Sequence, residues 1–275
     1  MNEHTNEQSD SRRYARAGLA LVRNTWLAWS QQRSFFFLIA FGWMIPPLIY
    51  LFVWSSAAGA GEIGGLTRDQ FIVYYLVLIV VNQLTYAQTN WTVGDAIRTG
   101  GFNRLLLYPL PPILDTVAAE LAGKLLMLSF AAPVALGVGL LLRPQVEISG
   151  AALALFVPAV LLAWLLRFLW GYCLALLAFW TTRADSLLAV QDALIFLLAG
   201  QAAPVALLPD AIQTAAVLLP FRYMVGFPVE ILTGQLSAGE IAFGFALAGV
   251  WTAAALLLTV FTWRRGLRRY SAVGG

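Results

Sequence analysis

Few residues in this chain could carry out covalent or metal chemistry. Its single histidine, His4, lies in a polar N-terminal stretch, and its single cysteine, Cys173, lies inside an apolar run. A His/Cys metal site therefore has no ligand set, an internal disulfide has no partner, and a Ser-His-Asp triad lacks a usable imidazole. Gly123 and Lys124 are followed by Leu125, with no glycine at the earlier position. The phosphate-cradling pattern G-x-x-x-x-G-K-[ST] is thus absent. No HExxH, GxSxG or CxxC pattern occurs either. Hydrolysis by this chain alone is not expected, and neither is a cofactor bound to it. If it moves a substrate, an ion gradient or a second subunit must supply the energy.

The residues that demand explanation are charges and amides inside apolar runs. Glu120 and Lys124 stand one helical turn apart, so they can pair along one helix or let the lysine snorkel to the membrane border. Arg167 lies deep in a long apolar stretch, where a guanidinium must face the bundle interior or water and find a partner. Asp192 is the natural candidate, through a structural clamp or a place on a substrate path. The stretch around Asn82 and Gln83 also holds Gln88, Asn90, Thr85, Thr89 and Thr92. A span so rich in amides should not face lipid. Interhelical hydrogen bonding and a polar pathway lining both fit.

Composition says what must position these groups. The 275 residues are 60% apolar and only 11% charged, with a mean hydropathy of +0.76. Soluble domains carry about 25% charged residues. Of the 31 charged residues, 12 lie before Phe36 or after Trp263. That excludes a soluble domain, a disordered chain and a disulfide-stapled scaffold, and leaves an all-α polytopic membrane protein. A bilayer core needs about 20 apolar helical residues. Six runs qualify: 35–55, the stretch between Asp69 and Asp95, 116–142, the stretch between Glu147 and Arg183, 187–208 and 241–263. The fourth is long for one crossing, at roughly 50 Å of helix. One projecting helix is preferred, because no turn cluster surrounds Arg167 and six spans put both basic ends on one side.

Twelve arginines then fall on one side and three (Arg68, Arg143, Arg222) on the other. The positive-inside rule places both termini in the cytoplasm. Basic residues explained this way leave no reason to invoke nucleic acid, despite a formal charge of +3 and a pI near 9.2.

Three segments lie outside the spans. Residues 1–11 read as a disordered tail. Over 12–34, Leu19, Val22, Trp26 and Trp29 fall within about 80° of arc and the arginines beside them, the pattern of a helix lying in the cytoplasmic interface against lipid. Residues 94–112 form a cytoplasmic connection, with Gly100 and Gly101 breaking any helix, Asn103 placed to cap a short new one, and Pro109 ending it. Leu105, Leu106 and Leu107 there need a cover, from this chain's own helix ends, from lipid, or from a partner's groove. Residues 209–240 are too apolar for a solvated loop and hold two helices too short to cross. They read as re-entrant half-helices in the outer leaflet, with Arg222 and Glu230 reaching the aqueous border; a solvated cap is the alternative. Residues 266–275 form a cytoplasmic tail.

Two stretches carry a family resemblance. IRTG at 97–100 with NRLLLYPL at 103–110 resembles the segment after the second span of ABC-2 type transporter permeases. LPFRYMVGFPVEILTG at 219–234 resembles the matching segment of the bacterial "ABC-2 family transporter protein" group. The layout is similar too, over nearly the whole chain. The resemblance implies an ABC-2, type V exporter-like fold in a bacterial inner membrane, with 35–265 as the transmembrane domain. Two such permeases, identical or related, would pair and dock two cytoplasmic ATPase subunits, which hold the ATP and magnesium. Arg98, Gly100, Arg104, Leu105, Leu106 and Leu107 would belong to the ATPase-facing surface. Arg222, Pro228 and Glu230 would belong to an external gate. The direction implied is export. The substrate stays open. A gradient-driven secondary transporter or channel is the rival class, and a non-transporting membrane scaffold a third.

Overall fold

The computed structural model describes residues 22–27, 33–107 and 111–270, together with Ala20 and Gln31. The expected tail at 1–11, most of the expected interfacial helix, Pro109 and the end of the C-terminal tail lie outside the described residues. Residues 22–27 are helical, with Val22 and Trp26 half-buried and Arg23 and Asn24 exposed.

The first long helix, α1 (Arg33–Ala58), leads into a two-residue hairpin, β1 (Glu62–Ile63) and β2 (Leu66–Thr67). Gly64 and Gly65 turn it with φ of 59° and 78°, which side chains with a Cβ rarely adopt. Thr67 caps α2 (Arg68–Thr85) reciprocally with Gln70. Two short helices follow, α3 (Asn90–Arg98) and α4 (Phe102–Leu107). Then come α5 (Pro112–Leu142) and α6 (Gly150–Leu176), the latter capped by Ser149 and prolonged by a 3-10 turn at Leu177–Phe179. The remainder is α7 (Ala184–Leu198), α8 (Asp210–Leu218), α9 (Phe221–Leu232) and α10 (Ala238–Arg269).

Among the described residues, five segments are long and apolar enough to cross a membrane: Phe37–Ala58, Arg68–Arg98, Pro112–Leu142, Gly150–Phe179 and Ala238–Arg269. A sixth is reached by taking α8 and α9 together, although they bend by 99°. The fourth stretch is one helix, unbroken at Arg167. The expected fifth span differs from its reading. Helix α7 has 15 residues, about 22 Å, short of the ~30 Å core. It stops because Gly200 takes a left-handed φ of 76°. The loop beyond is only half-buried at Gln201 to Ala203, and aromatic side chains satisfy its carbonyls. Tyr74 Oη donates to Gly200 at 2.9 Å, Trp54 Nε1 to Ala202 at 2.9 Å and Tyr75 Oη to Ala202 at 3.1 Å.

The core forms around α6, which packs against α2, α3, α7, α9 and α10. Helix α9 is almost wholly internal: every residue from Phe221 to Ile231 is buried except half-buried Arg222. It is neither a solvated cap nor a helix lying free in the leaflet. Large apolar side chains of α1, α5 and α10, among them Phe52, Leu141 and Leu257, are exposed and suit lipid or a partner. A methyl group on Gly226 of α9 would sit 2.6 Å from the Ala199 carbonyl oxygen at the end of α7. Gly226→Ala is therefore expected to destabilise the fold by about 1–3 kcal/mol, since backbone must move. Gly239→Ala meets nothing within 4 Å and serves as the control. Matched unfolding midpoints for the two variants would overturn this reading.

Candidate functional site

The intramembrane charges converge where α2 gives way to α3. Residues Tyr86 to Thr89 interrupt the helix, which strips backbone groups of their usual partners. Helix α5 supplies replacements. Glu120 Oε1 accepts from the Thr89 amide at 2.5 Å and from the Thr89 hydroxyl at 2.6 Å. Lys124 Nζ donates to the Tyr86 carbonyl at 2.7 Å and to Glu120 Oε2 at 3.0 Å. The i,i+4 pair is thus also a splice across a broken span, with the side chains of Lys124 and Glu120 only 12% and 2% exposed.

Arg167 joins from the far side. Its Nη1 donates to Asn82 Oδ1 at 2.9 Å and to Thr85 Oγ1 at 3.3 Å, and its Nη2 to Asp192 Oδ1 at 3.4 Å. Its guanidinium also lies 4.9 Å from the centre of the Tyr86 ring. Asp192 keeps one-fifth of its side chain exposed, while Arg167 keeps 3%. At the next residue of α6, Asn90 Nδ2 donates to the Phe168 carbonyl at 3.1 Å. Gly171 permits that approach, because a Cβ there would overlap Asn90. Gln83 is buried and lines a pocket of about 20 Å³ with Trp43, Tyr86, Gln88, Glu120 and Lys124. Such a volume holds about one water. Tyr86, part of this assembly, escaped the sequence reading, as did Gln191, which is buried beside Gly171 with its Oε1 making no hydrogen bond among the described residues. Gln191 carried a signal as the neighbour of Asp192.

Arg222 and Glu230, expected to reach the aqueous border, both lie on α9. They pair with each other inside α9, Arg222 Nη2 to Glu230 Oε2 at 2.7 Å, with side chains 12% and 3% exposed. The acid stands two turns along the same helix, past Pro228. Tyr223 Oη donates to the Val217 carbonyl at 2.7 Å, tying α9 back to α8.

At the arginine-rich end, Gly100 turns with a φ of 79° and α4 begins at Phe102. Asn103 is not the cap. It lies inside α4 and accepts a hydrogen bond from Tyr270 Oη at 2.7 Å, because Gly100 already ends α3 and its carbonyl receives the Asn103 amide. Phe102 packs edge-on against Phe179, Trp263 and Tyr270. Leu105 is half-buried, while Leu106 and Leu107 are 38% and 86% exposed beside exposed Arg104. Arg98 is exposed and pairs with Asp95. Among the described residues no group of three or more His, Cys, Asp or Glu could hold a metal.

Long apolar helices with a buried, mutually satisfied charge network define an all-α polytopic membrane protein. The chain belongs to the ABC-2 family transporter protein family, whose pattern it matches over residues 41–274. It is accordingly a permease component of an ABC transporter. No curated protein and no solved structure matches the chain.

Proposed function

We propose that this chain is one half of an export pathway. It pairs with a second permease, identical or related, and docks cytoplasmic ATPase subunits, two per assembly, that bind ATP and magnesium. The observation that carries the reading is α4. A short helix presents Leu106 and Leu107 to the outside beside Arg104, yet it is braced through Phe102 and Asn103 onto the end of α10. An exposed apolar pair on a rigid base suits a groove in a soluble partner. Arg98, Gly100 and Leu105 shape the same edge. The skew of twelve arginines against three supports both termini in the cytoplasm of a bacterial inner membrane. Outward movement rests on the family resemblance. Within this reading Arg222, Pro228 and Glu230 stabilise the outer gate element rather than meeting substrate directly, and the pathway lies between permeases. The splice at Glu120 and Lys124 ties the ATPase-facing segment to the spans.

Co-expression with a candidate ATPase tests this. The permease is expected to co-purify with it and to stimulate its ATP hydrolysis. Leu106→Glu with Leu107→Glu is expected to cut co-purification and stimulation at least tenfold while membrane insertion is unchanged. Docking that survives both charges would remove the coupling assignment. Transport that survives ATP depletion would favour a gradient-driven carrier instead.

A further inference from the structure

The break from Tyr86 to Thr89 leaves more groups unpaired than α5 repairs. The backbone amides of Ala87, Gln88 and Asn90 complete no hydrogen bond among the described residues. Ala87 and Asn90 are nonetheless buried, at 6% and 1% exposure. In an unbroken helix the amides of Ala87 and Gln88 would donate to the carbonyls of Gln83 and Leu84. Buried backbone groups are nearly always satisfied, by the chain itself or by ordered water.

Side chains add to the demand. Gln83 is 7% exposed. The hydrogen bonds of this neighbourhood join Thr89, Tyr86, Glu120, Lys124, Asn82 and Arg167. Among the described residues none reaches the side-chain amide of Gln83 or of Gln88. Lys124 Nζ donates to Tyr86 and to Glu120, and its third N–H meets no acceptor oxygen among the described residues. Gln83, Gln88 and Lys124 all line the pocket of about 20 Å³ that lies against the break.

We infer that this pocket is a hydration site, in which one ordered water bridges Gln83, Gln88 and Lys124. Size and charge select the occupant. The volume suits one water and nothing larger, and two to four polar partners are what a buried water needs. An ion has no reason to enter, because Glu120 and Lys124 neutralise each other in a pair of 3.0 Å. Water inserted in a helical ladder is also a cause of kinking. The site would thus fix where α3 departs from α2. The inference does not depend on the proposed ATPase docking or on export.

The test fills the pocket in the full-length chain, held in nanodiscs, and reads amide hydrogen exchange. Ala119 lines the pocket from α5. In a dry pocket Ala119→Leu would add packing and slow exchange at the break, whereas in a hydrated one it expels the water and strands the groups it served. Exchange from Ala87 through Asn90 is expected to speed up by about tenfold. Gln83→Met, which keeps the length but not the amide, is expected to act in the same direction. Gly137→Ala on the same helix, where a methyl meets nothing within 4 Å, is expected to change nothing at the break. Slower or unchanged exchange in Ala119→Leu would overturn the proposal. Hydroxyl-radical footprinting of wild type needs no variant and stands even if Ala119→Leu fails to fold. Half-buried Tyr86, beside the site, is expected to be oxidised more than Phe41, which is 43% exposed on α1. Equal or greater labelling of Phe41 would mean that no water is held at Tyr86 and would equally overturn the proposal.

Discussion

Replacing Arg167 with methionine is expected to lower the stability of the folded chain by about 3 kcal/mol, the usual cost of breaking one side of a buried charged network. The guanidinium is the shared donor for Asn82, Thr85 and Asp192, and it is 3% exposed. Methionine fills much of the volume but leaves those acceptors facing an apolar chain. Asp192 suffers least, because one-fifth of it already reaches solvent. The double variant Arg167→Met with Asp192→Leu is expected to recover most of the loss, since an apolar pair often replaces a buried ion pair without cost. Arg167→Lys should fall between, because an ammonium cannot reach three acceptors with a planar fork. Denaturation of the detergent-solubilised protein measures all three. A single variant within about 0.5 kcal/mol of wild type would mean that the network contributes nothing to stability.

Glu120→Ala is expected to have a similar cost but a more local signature. It removes the acceptor for the Thr89 amide and hydroxyl and strands Lys124 in a nearly dry site. The interruption from Tyr86 to Thr89 should then open more readily. Amide exchange from Thr89 through α3 is expected to speed up by ~100-fold, with exchange in α9 unchanged. Lys124→Met should speed exchange at Thr89 less, because Glu120 keeps both bonds to Thr89, although the Tyr86 carbonyl and Glu120 Oε2 both lose their donor. If Lys124→Met costs more than Glu120→Ala, the lysine rather than the carboxylate holds the splice.

Much of this was legible from sequence, and for identifiable reasons. A charge in an apolar run is conspicuous, and low dielectric narrows its choice of partners, so Arg167 could be matched with Asp192 before any coordinates. The i,i+4 spacing did the same for Glu120 and Lys124. The purpose of that pair was not legible. It depends on the break at Tyr86–Thr89, and residues 70–94 contain no proline and no charge to announce one. Only the amide-rich composition hinted that this span would need interior partners. The burial of α9 was missed because a short apolar helix reads alike whether it lies in lipid or in protein. With α9 packed inside, Glu230 is almost sealed from solvent and takes Arg222 as its partner. The short α7 was missed because apolar residues continue past Gly200, and what ends the helix is a glycine whose carbonyl Tyr74 claims from 126 residues away.

The placement of Arg167 also bears on how the chain enters the membrane during synthesis. A central arginine opposes insertion of its span by roughly 2.5–3.5 kcal/mol. Of its hydrogen-bonding partners, Asn82 and Thr85 precede it on the ribosome, while Asp192 follows 25 residues later. When α6 leaves the translocon, the neutral acceptors of α2 are already available, and the carboxylate is not. The two bonds to α2 can thus form first, which would lower the barrier for a charged segment, and the aspartate can close the arrangement only afterwards.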